Sequence, residues 1–153
     1  LVKTIPVPKR NINNTIHPIK ISSSTILKSF PKIKYRIEKG GKLKSAFNNR
    51  NVELLSRYLP EAFIKARKHD VLFEIFQLRK KFWFLPTTID TTAGYIFVEP
   101  GRINIVFEKI NEDYQGYDYD EPRKVIGDSS IGIYGGKTKV AKGWIVLTSK
   151  SWE

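Results

Sequence analysis

Apolar positions change their spacing along the chain, and each change predicts a different kind of element. Leu43, Phe47, Leu54, Leu55 and Tyr58 recur at roughly helical intervals up to Pro60. That spacing predicts a helix, and Pro60 either kinks a longer helix or starts a new one, because proline fits a first turn but removes a hydrogen bond further in. The next segment predicts another helix over residues 71–81. Asp70 is its candidate N-cap, Val71, Leu72, Ile75, Phe76, Leu78 and Phe82 form the apolar stripe, and Arg79, Lys80 and Lys81 fall in the last turn, where cations suit the dipole. Beyond Pro86 the period becomes two. Tyr95-Ile96-Phe97-Val98 and the run from Arg102 to Phe107, with Ile103, Ile105 and Phe107 on one face, predict a β-hairpin. Its turn is Glu99-Pro100-Gly101-Arg102, in which proline pre-sets the first corner and glycine accepts positive φ at the second. Residues 111–122 gather five acids and three tyrosines and predict a long loop. Short strands are expected at 123–126, 131–134 and 144–147, set apart by Gly127, Gly132, Gly135, Gly136 and Gly143.

Helices grouped first and strands grouped after predict an α+β fold: two or three helices, then a small antiparallel or mixed β-sheet. The first third has different grammar. Pro6, Pro8, Pro18 and Pro31, the patch Asn11, Asn13 and Asn14, and the run Ser22-Ser23-Ser24 discourage regular structure there. The expectation is a long extended arm over residues 1–45 without its own core, and an α+β domain over 46–153. The isolated Ile5, Val7, Ile12, Ile16, Ile19 and Ile21 would anchor such an arm along a folded surface or a partner.

Charge sharpens that division. The 153 residues hold 27 Lys and Arg against 15 Asp and Glu, a net charge of +12. Residues 1–45 contribute eleven bases (Lys3, Lys9, Arg10, Lys20, Lys28, Lys32, Lys34, Arg36, Lys39, Lys42, Lys44) and one acid, Glu38, so ten of the twelve net charges sit in the arm. A polyanion is the natural counterpart. No apolar run approaches the ~18 residues of a membrane span, and no membrane partner is expected. The lack of cysteine removes disulfides, thiolate zinc sites and cysteine nucleophiles. A chain that starts at Leu1 and contains no methionine suggests either a removed leader, as on organelle import, or missing first residues.

Candidate chemistry is sparse. His17 and His69 occupy different settings and read as surface residues. Glu112, Asp113, Asp118, Asp120 and Glu121 are oxygen donors of the kind that hold Ca²⁺ or Mg²⁺, but their spacing is not that of an EF-hand loop. Gly135-Gly136-Lys137-Thr138 resembles the end of a phosphate-binding loop, yet Ile131 stands where its first glycine belongs. No cofactor and no catalytic residue is expected. Basic clusters say more: Lys65, Arg67 and Lys68, then Arg79, Lys80 and Lys81, bracket the predicted second helix, and Phe82, Trp83 and Phe84 follow. Interleaved bases and aromatics neutralise phosphates and offer stacking planes. Phe82 and Phe84 read as core residues, and Trp83 is open between core and stacking.

From Asp70 onward the order of features resembles the small-subunit ribosomal protein S-eight family. The helix expected at 71–81 closes on Phe82-Trp83-Phe84, the run from Arg102 to Lys109 resembles the family's alternating strand, and Pro122, Val125, Ile126 and Tyr134 fall where its next features lie. Gly143-Trp144-Ile145-Val146-Leu147-Thr148-Ser149-Lys150 resembles its glycine, apolar strand and Ser-Thr-Ser-Lys turn, with Leu147 at the first serine and Ser151 at the following glycine. The resemblance implies a structural, non-enzymatic constituent of an organellar (mitochondrial matrix) small ribosomal subunit, with ribosomal RNA and neighbouring ribosomal proteins as partners. It also implies that Thr148, Ser149 and Lys150 pack into an rRNA minor groove, where 2′-hydroxyls are displayed. The expected RNA-binding residues are these three with Lys3, Lys9, Arg10, Lys20, Lys28, Lys32, Lys34, Arg36, Lys65, Arg67, Lys68, Arg79, Lys80 and Lys81. Two other classes fit parts of the pattern: a viral coat protein with a basic packaging arm, and a metal-dependent nuclease using Asp118 and Asp120.

Overall fold

The structure is a computed structural model; it describes residues 2–5, 16, 18–37, 40–67, 69–79, 82–113, 132–136 and 143–148. The fold is α+β. A strand, β1 (Val2–Ile5), precedes helix α1 (Ser23–Ser29), a short 3-10 turn (Phe30–Lys32), and two small strands, β2 (Lys34–Arg36) and β3 (Lys44–Ser45). Helix α2 (Asn49–Lys65) follows, then the long strands β4 (Asp70–Arg79), β5 (Thr88–Glu99) and β6 (Arg102–Asp113), and the short β7 (Gly132–Tyr134) and β8 (Trp144–Thr148). One antiparallel sheet runs in the order β1-β4-β5-β6-β8, and a second in the order β3-β2-β7.

The predicted hairpin forms. Glu99 pairs with Arg102, so Pro100-Gly101 is a two-residue connection, and Gly101 has φ +68°. The strand expected at 144–147 is β8, and Tyr134 closes β7. Residues 123–126 and 114–122 lie outside the described residues, but the expected loop at 111–113 is the end of β6.

The helix expected at 71–81 is instead strand β4. Its segment obeys period two as well as it obeys the helical period. Val71, Phe73 and Ile75 face one side, Leu72 and Glu74 the other, and all five are buried. A short run buried on both faces carries no periodic signature that separates helix from strand, and here the β-branched and aromatic content decided it. Asp70, expected as an N-cap, is the fully buried first residue of the strand.

The expectation of a coreless arm is also corrected, for residues 16–45. Ile21, Ile26, Phe30, Ile33 and Tyr35 are buried in the same core as the sheet. Ser22, one of the serines that argued against structure, caps α1 by accepting a hydrogen bond from the Thr25 N–H at 3.2 Å. The Ile16 N–H donates to the Val98 carbonyl at 2.9 Å, tying this segment to β5. Lys9, Arg10 and the rest of 6–15 lie outside the described residues.

The core lies between α2 and one face of the large sheet. Val52, Leu55, Leu59 and Phe63 of α2 join Val71, Phe73, Ile75, Ile96, Val98, Ile103, Ile105, Phe107, Ile145 and Leu147. Asn48 caps this helix, accepting from the Asn51 N–H at 2.7 Å, and the helix runs through Pro60. Phe47 sits at the centre of an aromatic cluster, with ring centroids 5.5 Å from Phe30, 5.8 Å from Phe73 and 5.7 Å from Phe107. The opposite face of the sheet also buries Leu72, Phe97, Val106 and Val146. There Phe97 meets Trp144 edge-on at 5.6 Å, and the indole N–H donates to Asn104, whose amide donates to Glu99.

Candidate nucleic-acid interface

Lys32 to Arg36 alternate basic and apolar residues, which is the pattern of a half-buried strand. The structure obeys it: Ile33 and Tyr35 are buried, while Lys34 and Arg36 share the outer face of the small sheet. Register brings two further residues to that face. Lys34 lies opposite Ser45 on one side and Tyr134 on the other. The Lys34 ammonium donates to Ser45 Oγ at 2.8 Å, and the Arg36 guanidinium stands 5.0 Å from the centroid of the Tyr134 ring. Such a cation–π pair presents a planar, positively charged platform.

Lys20, Lys28, Lys32, Lys42, Lys44 and Arg50 are all exposed, and the first described carboxylate in the chain is Glu53. The face is therefore both cationic and aromatic. Of the residues expected to contact RNA, Lys34 and Arg36 lie on β2, Lys32 ends the 3-10 turn before it, Lys28 lies on α1 and Lys20 precedes α1.

Other expected residues are placed differently. Lys65 is paired with Glu61 one turn earlier on α2, and both are exposed; this pair lowers the Glu61 carboxyl below its usual range through its hydrogen bond and charge. Arg67 follows the end of α2 with φ +50° and is exposed. Arg79 is engaged by two carboxylates, Asp113 and, at 3.3 Å, Asp90. It is thus largely neutralised within the fold. Thr148 ends β8 opposite Arg102. Lys3 lies in β1, where only its backbone is described, and Lys68, Lys80, Lys81, Ser149 and Lys150 lie outside the described residues.

Phe82 and Phe84, expected in the core, are not buried. The β4–β5 hairpin projects Phe82, Trp83, Phe84 and Leu85 into solvent, Trp83 at 86% exposure. Phe82 and Phe84 stack at 5.4 Å, and Trp83 meets Phe84 edge-on at 5.7 Å. A hollow of about 260 Å³ beneath the tip is lined by Arg79, Leu85, Pro86 and Thr88; it is open and shallow, unlike the enclosed pockets of small-molecule sites.

Sequence reasoning missed Tyr134 and Ser45 as members of the cationic face. Ser45 arrives by pairing of β2 with β3 eleven residues on and Tyr134 by pairing with β7 a hundred residues on, and neither pairing leaves a signal beside the residue. The alternation at 32–36 was the signal available for Lys34 and Arg36 as one surface. No group of three or more His, Asp and Glu side chains suited to a metal ion occurs among the described residues, and Asp118 and Asp120 lie outside them.

No family model, curated protein or solved structure matches the chain.

Proposed function

We propose that the protein binds RNA without catalysis, through the outer face of the small sheet. The observation that carries this reading is the Arg36–Tyr134 platform beside Lys34. Lysines and arginine neutralise phosphates with release of counterions, and the aromatic–guanidinium pair supplies a plane on which an unpaired base stacks. The same face suits single-stranded segments, loops and bulges better than duplex, because only unpaired bases expose their rings.

The more specific form of this reading is a constituent of the mitochondrial small ribosomal subunit, contacting ribosomal RNA and neighbouring proteins. Its support is the order of features from Arg102 to Thr148, since the helix that entered the resemblance at 71–81 is a strand. Co-sedimentation with small ribosomal subunits tests that form.

The RNA-binding reading is tested by fluorescence anisotropy with a short unstructured RNA. Charge reversal by Lys34→Glu with Arg36→Glu is expected to weaken binding at least about tenfold, as two lost and two opposed phosphate contacts require. Unchanged affinity in the folded variant overturns the assignment.

A further inference from the structure

Strand β3 is an edge of the small sheet, pairing among the described residues with β2 alone, and both of its residues, Lys44 and Ser45, are exposed. The approach to it is open as well. Residues 41–43 have no regular secondary structure, Lys42 and Leu43 are exposed, and Gly40 turns the chain into this stretch with φ +83°. Lys42-Leu43-Lys44-Ser45 therefore presents a hydroxyl that follows two exposed cations. An edge strand offers its outward backbone groups to an added strand, which is how many peptide-binding clefts hold an extended segment. Ser23 and Ser24 are exposed too, but they lie in the first turn of α1, whose backbone does not suit such a cleft.

Ser45 is also tied to the cationic face. It pairs with Lys34, whose ammonium donates to Ser45 Oγ at 2.8 Å. On the other flank of Lys34 lies Tyr134, with the Arg36 guanidinium over its ring. Neighbouring strands lie ~4.8 Å apart, so Ser45 and Tyr134 stand about 10 Å from one another across Lys34. A charge placed on Ser45 is thus in contact with one of the two cations of the face and within about a Debye length of the other.

We propose that Ser45 is a phosphorylation site for a protein kinase that selects basic substrates, and that the phosphate switches off RNA binding at the small sheet; the switch rests on the RNA-binding reading. In the transfer, Ser45 Oγ attacks the γ-phosphorus of ATP, the bond from that phosphorus to the β–γ bridging oxygen breaks, ADP leaves, and the hydroxyl proton passes to the kinase's base. Lys42 and Lys44, three residues and one residue before the hydroxyl, complement an acidic substrate groove. A phosphoserine carries about −1.5 to −2 charges at pH 7 and three strong acceptor oxygens. Lys34 already donates to the oxygen that would bear the phosphate, so it forms a charge-assisted bond to the new group without moving its strand. One cation of the face is then consumed within the chain, and Arg36 must hold RNA phosphates beside a fixed anion.

The folded chain is incubated with ATP, Mg²⁺ and the catalytic domain of protein kinase C, and mass spectrometry locates the phosphate, which is expected on Ser45. Fluorescence anisotropy with a short unstructured RNA at about 0.1 M salt reads the switch. The phosphorylated chain is expected to bind about tenfold or more weakly than the unmodified parent, while kinase-treated Ser45→Ala binds within about twofold of the parent, because every cation stays in place. Ser45 left unmodified overturns the proposal. A phosphorylated chain that binds RNA as tightly as the parent overturns it too, and leaves the RNA-binding reading standing. An equal loss in Ser45→Ala makes the hydroxyl itself an RNA contact and overturns the switch. A parent that binds no RNA overturns the RNA-binding reading and the switch together.

Discussion

Asn111 and Tyr35 join the two sheets: the Asn111 side-chain amide donates to the Tyr35 hydroxyl at 3.1 Å. Asn111 occupies an irregularity in the β5–β6 ladder with φ +48°, a conformation asparagine tolerates better than most residues. Its N–H donates to Thr92 Oγ1 at 3.0 Å, and the Thr92 hydroxyl donates to the Asn111 side-chain Oδ1 at 3.2 Å. Tyr35 is the buried residue between Lys34 and Arg36, so this contact fixes the strand that carries the cationic face.

Replacing Asn111 by alanine is expected to cost about 2 kcal/mol, from the lost hydrogen bonds and the strained backbone. Tyr35→Phe removes the inter-sheet bond alone and is expected to cost about 1 kcal/mol. Urea denaturation measures both. An Asn111→Ala variant as stable as the parent shows that the two sheets do not depend on this link.

Charge removal on the small sheet has a quantitative signature beyond affinity. Lys34→Ala with Arg36→Ala removes two phosphate contacts and is expected to reduce the slope of log affinity against log salt by about 1.4 on single-stranded RNA. Lys65→Ala, which removes a lysine paired with Glu61 on α2, is expected to leave that slope unchanged. Titrations at several salt concentrations distinguish them.

Gly94 lies on the core face of β5, opposite Phe73 and Phe107. A methyl group there meets the Val106 carbonyl oxygen at 2.1 Å, and that atom belongs to the neighbouring backbone. Gly94→Ala is expected to destabilise by more than about 2 kcal/mol, because the ladder itself must move. Thermal unfolding with an unshifted midpoint contradicts this.

Phe47→Ala empties the centre of the aromatic cluster and is expected to cost about 3–5 kcal/mol. Phe84→Ala removes a ring of the same size from an exposed tip and is expected to change stability little. The contrast separates core from surface aromatics in one denaturation series.

Burial pushes the Glu112 carboxyl above its usual range, with Lys109 partly offsetting the effect. The folded chain then holds this proton to higher pH than the unfolded chain, so stability falls as pH rises through the folded-state value. Glu112→Gln is expected to match the parent around pH 3 and to be the more stable of the two around pH 7. Denaturation at the two pH values reads the difference, and a variant less stable at the higher pH reverses the sign.

The sequence by itself determined the local features whose information lies in a few adjacent residues. The turn at Pro100-Gly101, the alternation of Ile103, Ile105 and Phe107, the apolar strand at 144–147 and the excess of positive charge before residue 45 were all legible, because each depends on neighbouring side chains or on a simple sum. Tertiary structure decided the rest. Residues 71–79 became a strand because β1 and β5 pair with its backbone on either edge, and its first half, buried on both faces, lacks the polar positions that reveal its period. Ile21, Ile26, Phe30, Ile33 and Tyr35 became core because Phe47, Phe73 and Phe107 were there to receive them, which the prolines and serines around them concealed. Phe82 and Phe84 ended in solvent because they cap a hairpin that outruns the helix packed against it. The pairing of Arg36 with Tyr134 is the furthest from the sequence: it exists only once β2 and β7 lie side by side, and chain closure over that distance leaves no mark on either residue's neighbours.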